Sequence, residues 1–336
     1  MDPAVRMTAP TRPAAPPLVF VSVPSRRLGR SIGINNIPPK ICSFACVYCQ
    51  VGPTLDRDVE VRAFHDPERL AGEVAARVDE VRARGESIDY LTFVPDGEPT
   101  LDAGLATTME LLRPLGIPIA VITNGSLLSR DDVRATLSTA DWVSVKVDAV
   151  DEETWRHVNR PDPSLGFDTT RVGIVDFAAS YGGDLVSETM LVEGMNDSPD
   201  SVDAVGTFLA RAGFGRSYLS IPTRPTPYAA ITAPDEETVT TAYHILAGHV
   251  ERVEYLIGYE GDEFSATGDP RTDLLGITAV HPMRSSAVRE LLSRTGAGWE
   301  LVESLIADGS LTETAYRGET FYVRRFSRRR TTGGSE

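Results

Sequence analysis

The chain has 336 residues, 41% hydrophobic and 24% charged, with a formal net charge of −15. That is enough apolar material for one large core and a small second one, on a surface whose bulk repels nucleic acid and anionic lipid. No apolar run approaches the ~18–20 residues that span a bilayer, the first residues lack the apolar stretch of a secretory signal, and three cysteines are not a disulfide framework. Together these point to a reducing, cytoplasmic setting with no membrane partner.

Residues 1–17, rich in Pro, Ala and Thr, are expected to be disordered. Leu18–Val23 is an apolar run that predicts a first buried strand. Asp66-Pro67 opens a helix; Leu70, Val74, Val78 and Val81 keep its spacing and Gly85 ends it. Strands are predicted at Ile88–Val94, Ile117–Ile122, Asp141–Asp148, Asp184–Val192 and Tyr218–Ile221. Between them lie helices near Ala103–Arg113, after the capping-box pattern Ser129-Arg-Asp-Asp132, at Thr169–Ser180, and from Ser198-Pro199. Six strands alternating with helices imply an α/β fold with a parallel sheet and right-handed crossovers.

Each predicted strand exits into a polar cluster. The cysteine loop follows the first strand, Asp96-Gly97-Glu98-Pro99-Thr100 the second and Thr123-Asn124-Gly125 the third. Asp148 ends the fourth, Gly194-Met-Asn196-Asp197 follows the fifth, and Pro222-Thr-Arg224-Pro225 the sixth. Ligand sites of parallel sheets occupy that edge. Along Trp142–Asp148 the valines take one face, for the helices, while Ser144, Lys146 and Asp148 take the inner one. A buried lysine there needs a partner, Asp148 or Glu188.

Pro222–Pro227 cannot continue a central strand and marks a boundary. The expected organisation is a core over 18–228, an extension over 229–280, a small module over 281–326 and a basic disordered tail over 327–336. In the extension, a helix near Asp235–His249 and a strand-like Val253–Gly258 are expected. In the module, helices at Ser285–Arg294 and Trp299–Ala307 precede a hairpin of Leu311–Tyr316 and Glu319–Arg325, the order of a winged helix. Arg324, Arg325, Arg328, Arg329 and Arg330 make its end basic, which suits either a solvated tail or nucleic-acid contact.

All three cysteines fall in Cys42-Ser-Phe-Ala-Cys46-Val-Tyr48-Cys49. Thiolates hold zinc or iron–sulfur clusters, and both usually take four ligands. Three readings follow: a cluster with one open iron, a zinc-binding interaction module using a distant histidine such as His65, or an electron carrier needing a fourth ligand. The remaining histidines, including His281, have no metal-ligand spacing. Arg26, Arg27, Arg30 and Lys40 precede the loop and suit either an anionic group of a substrate or cofactor, or solvent.

The C-x3-C-x2-C pattern, with an aromatic before the third thiol and in a βα-repeating chain, resembles the signature of the radical S-adenosylmethionine superfamily. The stretch from Pro24 to Gln50 is similar to a branch grouped loosely with the wyosine synthases that modify tRNA. The resemblance implies a partial (β/α)6 barrel with a winged-helix-like C-terminal module, a [4Fe–4S] cluster held by Cys42, Cys46 and Cys49, and S-adenosylmethionine as cofactor. It implies Tyr48 near the adenine, and Gly97 and Glu98 as the Gly-Glu of a Gly-Gly-Glu element that engages the methionine amino group, with Asp96 in place of the first glycine. It also implies Thr123, Asn124, Lys146, Asp148 and Glu188 within reach of ribose or carboxylate. The expected partners are a low-potential flavodoxin- or ferredoxin-like donor and a substrate for which tRNA is the lead. Peptide or protein modification and glycyl-radical activation are the alternatives.

Overall fold

The computed structural model describes residues 18–25, 27–257, 269–280 and 282–325. The expected disorder of 1–17 and 327–336 lies outside them, as do Arg26 and His281. In chain order, β1 (Val19–Ser25), β2 (Gly29–Ile34), β3 (Ile41–Cys42), β4 (Asp56–Arg57), α1 (Pro67–Ala83), β5 (Tyr90–Phe93), α2 (Leu105–Leu112) and β6 (Ile119–Thr123) come first. Then follow α3 (Asp131–Leu137), β7 (Trp142–Lys146), α4 (Glu152–Val158), α5 (Phe167–Ser180), β8 (Asp184–Met190), α6 (Pro199–Ala212), β9 (Arg216–Ser220), α7 (Glu236–Ala247) and β10 (Arg252–Leu256). The chain closes with α8 (Pro270–Val280), β11 (Met283–Arg284), α9 (Ser285–Thr295), α10 (Glu300–Ala307), β12 (Leu311–Tyr316) and β13 (Glu319–Arg324).

The helices form where local chemistry starts and stops them. Asp66 accepts from the Arg69 amide at 2.9 Å, Pro67 fits the first turn, and Leu70, Val74, Val78 and Val81 are buried along one stripe of α1. Ser198 caps α6, and Gly213 ends it in the left-handed conformation. The capping box expected at Ser129 does not form. Arg130 is the cap of α3, without a side-chain bond, and it pairs with Asp132 instead.

The main sheet runs β1-β2-β5-β6-β7-β8-β9-β10. Its strands from β2 onward are parallel, and β1 lies antiparallel to β2 at the edge. Six of them, β2 and β5 to β9, each followed by a helix, make the partial barrel. The strand expected at Leu18–Val23 exists, but it is this antiparallel edge; the strand that leads into the cysteine loop is Gly29–Ile34. The sequence obscured it because Gly33 sits opposite Phe20, whose ring lies where a Cβ would stand, 1.9 Å away. Ile32 and Ile34 supply the outward-facing core, and Val253–Leu256 adds β10 beside β9.

Val143, Val145 and Val147 face the helical layer with Leu91, Phe93 and Leu209. On the opposite face, inside the barrel, Leu28, Ala120, Trp142, Val186 and Tyr218 pack together as a floor. A second core joins α8, α9 and α10 to the three-stranded sheet β11-β13-β12. There the helices precede the hairpin, as the sequence order suggests. Helix α8 packs against both β1 and β13, and the Tyr316 hydroxyl donates to the Pro222 carbonyl at 2.9 Å, which seats the hairpin at the barrel mouth.

Candidate active site at the C-terminal edge of the sheet

The cysteine loop crosses the mouth and is pinned by the strand exits around it. The Glu98 amide donates to the Ile41 carbonyl at 3.1 Å, and a Cβ on Gly97 would stand 2.0 Å from that oxygen, so only glycine fits there. Lys40, in the left-handed region at φ 69°, donates its amide to Asp96 O at 2.7 Å. Its ammonium pairs with Asp96 Oδ2 at 2.7 Å and also reaches the Val51 carbonyl. Farther along, Val47 N donates to Val158 O at 2.9 Å, and Phe44 meets Trp155 edge-on at 5.8 Å.

The three thiols on this loop are free and partly buried. Asn124 Nδ2 donates to Cys42 Sγ at 3.5 Å, and Asn159 Nδ2 to Cys46 Sγ at 3.6 Å. Burial pushes all three thiols up, Cys46 to about 12, and the nearby Glu98 and Asp148 carboxylates reinforce this at Cys42 and Cys46 respectively. Such thiols stay protonated in neutral water; a bound metal replaces the proton. Sulfurs on one short loop with amide donors aimed at two of them fit an iron–sulfur cluster, whose potential such bonds tune.

Three buried carboxylates knit the strand ends together. Glu98 accepts from the Thr100 hydroxyl at 2.6 Å, the Thr123 hydroxyl at 2.6 Å and the Asn124 amide at 2.8 Å, while burial raises its pKa. Asp148 accepts from the Tyr48 hydroxyl, from Asn159 Nδ2 at 2.6 Å and from the Met190 amide at 2.8 Å. Burial raises Asp148 too, against the pull of Lys146 and those bonds. Glu188 takes Lys146 Nζ at 2.6 Å, the Ser220 hydroxyl at 3.1 Å and Arg27. Lys146 also lies 5.4 Å from the centre of the Tyr48 ring.

The residues expected to hold the cluster and cofactor (Cys42, Cys46, Tyr48, Cys49, Gly97, Glu98, Thr123, Asn124, Lys146, Asp148 and Glu188) lie at this one edge or on the inner face below it. Of the two partners open to Lys146, Glu188 forms the bond. Asn159, Ser220 and Met190 join them without having been foreseen. Asn159 is the C-cap of α4, a helix whose own signal, Asp151 followed by Glu-Glu-Thr, was legible: Asp151 accepts from the Thr154 amide at 2.8 Å. His65 stands apart, its charged neighbours being Asp102, Arg69 and Glu73. Asp102 itself binds Asn36 at 3.2 Å.

The model of the radical SAM superfamily matches residues 36–203, half of the chain. The fold agrees: TYW1 with a lysine-pyruvate adduct superimposes with a TM-score of 0.50 at 15% identity, covering 66% of this chain and 74% of that one. A radical SAM methyltransferase from Sphaerobacter thermophilus does so with 0.50 at 17%, covering 67% and 66%. The chain belongs to the radical SAM superfamily: it is an enzyme whose cofactors are a [4Fe–4S] cluster and S-adenosylmethionine. Within it the chain falls in the UPF0026 family, being 40% identical to UPF0026 protein MJ1312 of Methanocaldococcus jannaschii over 93% of this chain and 97% of that one. A UPF0026 protein of Helicobacter pylori is 31% identical over 66% and 71%. No helix among the described residues is long and apolar enough to cross a membrane.

Proposed function

We propose that Cys42, Cys46 and Cys49 ligate the cluster and that the chain reductively cleaves S-adenosylmethionine to begin hydrogen abstraction from a substrate, with tRNA the leading candidate. The observation that carries this is the convergence of three partly buried, free thiols with the buried Glu98, Asp148 and Glu188 hubs at one strand edge. When bound, the reduced cluster would supply the electron for reductive cleavage of S-adenosylmethionine, the chemistry that starts hydrogen abstraction.

The protein's part is to bind, orient and exclude water. Tyr48, packed with Val158, Met190 and Val192, offers an apolar flank for adenine. Gly97 lets the cysteine loop close against the exit of β5, and Glu98 holds Thr123 and Asn124 beside it. Lys146 and Glu188 supply charge for ribose and carboxylate, while Asp148 fixes Tyr48. The electron comes from an external flavodoxin- or ferredoxin-like donor. Support for RNA is the hairpin seated at the mouth, with Arg317 at its turn. In addition, an S-adenosylmethionine-dependent nucleotide dehydratase from Flammeovirga pacifica is 24% identical over 51% of this chain.

Anaerobic protein supplied with iron, sulfide and dithionite is expected to yield 5′-deoxyadenosine, and Cys46→Ala to yield none above background. Stoichiometric zinc with no cleavage would replace this reading with the zinc module. Material trapped by Cys46→Ala distinguishes the substrates: enriched tRNA supports the lead, and peptide or protein alone removes it.

A further inference from the structure

Helix α4 ends against the cysteine loop, and the two residues after it turn opposite ways. Asn159 goes inward, to Cys46 Sγ at 3.6 Å and Asp148 at 2.6 Å. Arg160 is held by its carbonyl, which accepts the Ala45 amide at 3.1 Å, between Cys42 and Cys46. Its φ of 46° lies in the left-handed region, uncommon for an arginine, and strain of this kind collects at functional sites.

The Arg160 side chain is exposed and lies over Tyr228, 4.5 Å from the ring centre. Tyr228 is itself 42% exposed. Its carbonyl accepts the Ile231 amide at 3.0 Å, and Ile231 packs on the cluster of Tyr48 and Val47, with Cys46 beside it. The stacked pair therefore stands at the rim of the barrel mouth, next to the flank proposed for adenine.

A second cation joins it. Arg57 of β4, also exposed, donates from Nη1 to the Pro161 carbonyl at 3.2 Å, one residue from Arg160. Other surface arginines lean on acids, as Arg69 does on Glu73, Arg130 on Asp132 and Arg156 on Glu152. Among the described residues, Arg57 meets the Pro161 carbonyl and Arg160 the Tyr228 ring, and neither forms an ion pair. In a chain of net charge −15, a polyanion can be held only where cations stand uncancelled in this way.

We propose that Arg160 and Tyr228 form a stacking platform for a nucleobase of an RNA substrate, with Arg57 taking a neighbouring phosphate. Unpaired bases stack on aromatic rings and on guanidinium planes, while adjacent cations track the backbone. An acidic electron donor would use the two charges but leave the exposed ring without a role. The inference deepens the RNA reading of the proposed function and rests on it.

Fluorescence anisotropy of the reconstituted full-length enzyme tests it with two labelled probes. One is a single-stranded RNA of about 12 nucleotides, the other the same sugar–phosphate strand without bases. Wild type is expected to bind the RNA about tenfold tighter than the abasic strand. Tyr228→Ala should lose that margin without weakening the abasic strand, and Tyr228→Phe should keep it. Arg160→Gly suits the left-handed backbone, so it should melt no lower than wild type yet bind RNA several-fold more weakly. Arg57→Gln should weaken both strands alike and reduce the salt slope by about 0.7; Arg69→Gln, a paired control, should change neither. Equal binding of the two strands by wild type, or RNA binding unchanged in Tyr228→Ala, overturns the proposal. Should Tyr228→Ala fail to melt cooperatively, Arg160→Gly decides, and full RNA binding by it counts against the platform. Wild type that ignores RNA, but whose reduction by flavodoxin slows in Arg160→Gly and Arg57→Gln, assigns the patch to the electron donor and also overturns it. Wild type that cleaves S-adenosylmethionine yet binds neither strand sinks the platform alone, whereas wild type that forms no 5′-deoxyadenosine sinks the proposed function.

Discussion

Burial alone would push the Glu188 carboxyl up, but Arg27 and Lys146 reverse this and hold it at about 2. Because the folded value lies below the ordinary 4.5, the stabilisation is present above pH 4.5 and is lost as pH falls from there to about 2. Glu188→Gln is therefore expected to cost roughly 3 kcal/mol at pH 7, with a gap to wild type that closes toward pH 2 in urea melts. Asp96 runs the other way: burial, opposed by Lys40, raises it to about 6, so its contribution declines as pH rises from 3.8 through 6. Asp96→Asn should flatten that decline in the same melts. The Lys146–Glu188 pair was half legible, since strand alternation put Lys146 on the inner face. Its choice of Glu188 over Asp148 was not, because it depends on Tyr48 and Asn159 having already engaged Asp148.

Elements place these side chains, and Gly97 shows how tightly. The cysteine loop passes so close to the exit of β5 that an added methyl meets the Ile41 carbonyl at 2.0 Å. Gly97→Ala should push the loop outward, costing about 2–4 kcal/mol and lowering iron bound per chain after reconstitution. Unchanged iron content with unchanged melting would show that the approach is not needed. Helices α1 and α6 were legible because cap, stripe and stop agree within each segment. Strand β2 was harder to see: Gly33 makes room for the neighbouring strand β1, and Phe20 gives no sign in the sequence that it covers Gly33. Helix α4, with two turns and few apolar residues, was missed; with it went Asn159, which binds Asp148, Tyr48 and Cys46.

At the scale of the whole molecule, the C-terminal hairpin reaches the cysteine loop through a short relay. Tyr316 holds the Pro222 carbonyl, and the next residue, Thr223, donates its amide and hydroxyl to Gln50 Oε1 at 3.3 Å, one residue past Cys49. Tyr316→Phe should remove about 1 kcal/mol from this docking and speed amide exchange in β12 and β13 roughly fivefold. Exchange in β5 to β8 should be unaffected. Equal protection throughout the hairpin would mean that packing alone seats the module.

The amino-acid sequence by itself determined the alternation of strands and helices, the single cysteine motif and the edge where polar residues gather, because each depends on periodicity and spacing within short segments. Tertiary structure decided which carboxylate meets which cation, that β1 turns back to bring Arg27 beneath Glu188, and that the hairpin sits at the mouth. Those contacts join residues 42 to 161 positions apart, and their energy depends on burial and on competition for each oxygen, which only the assembled sheet defines.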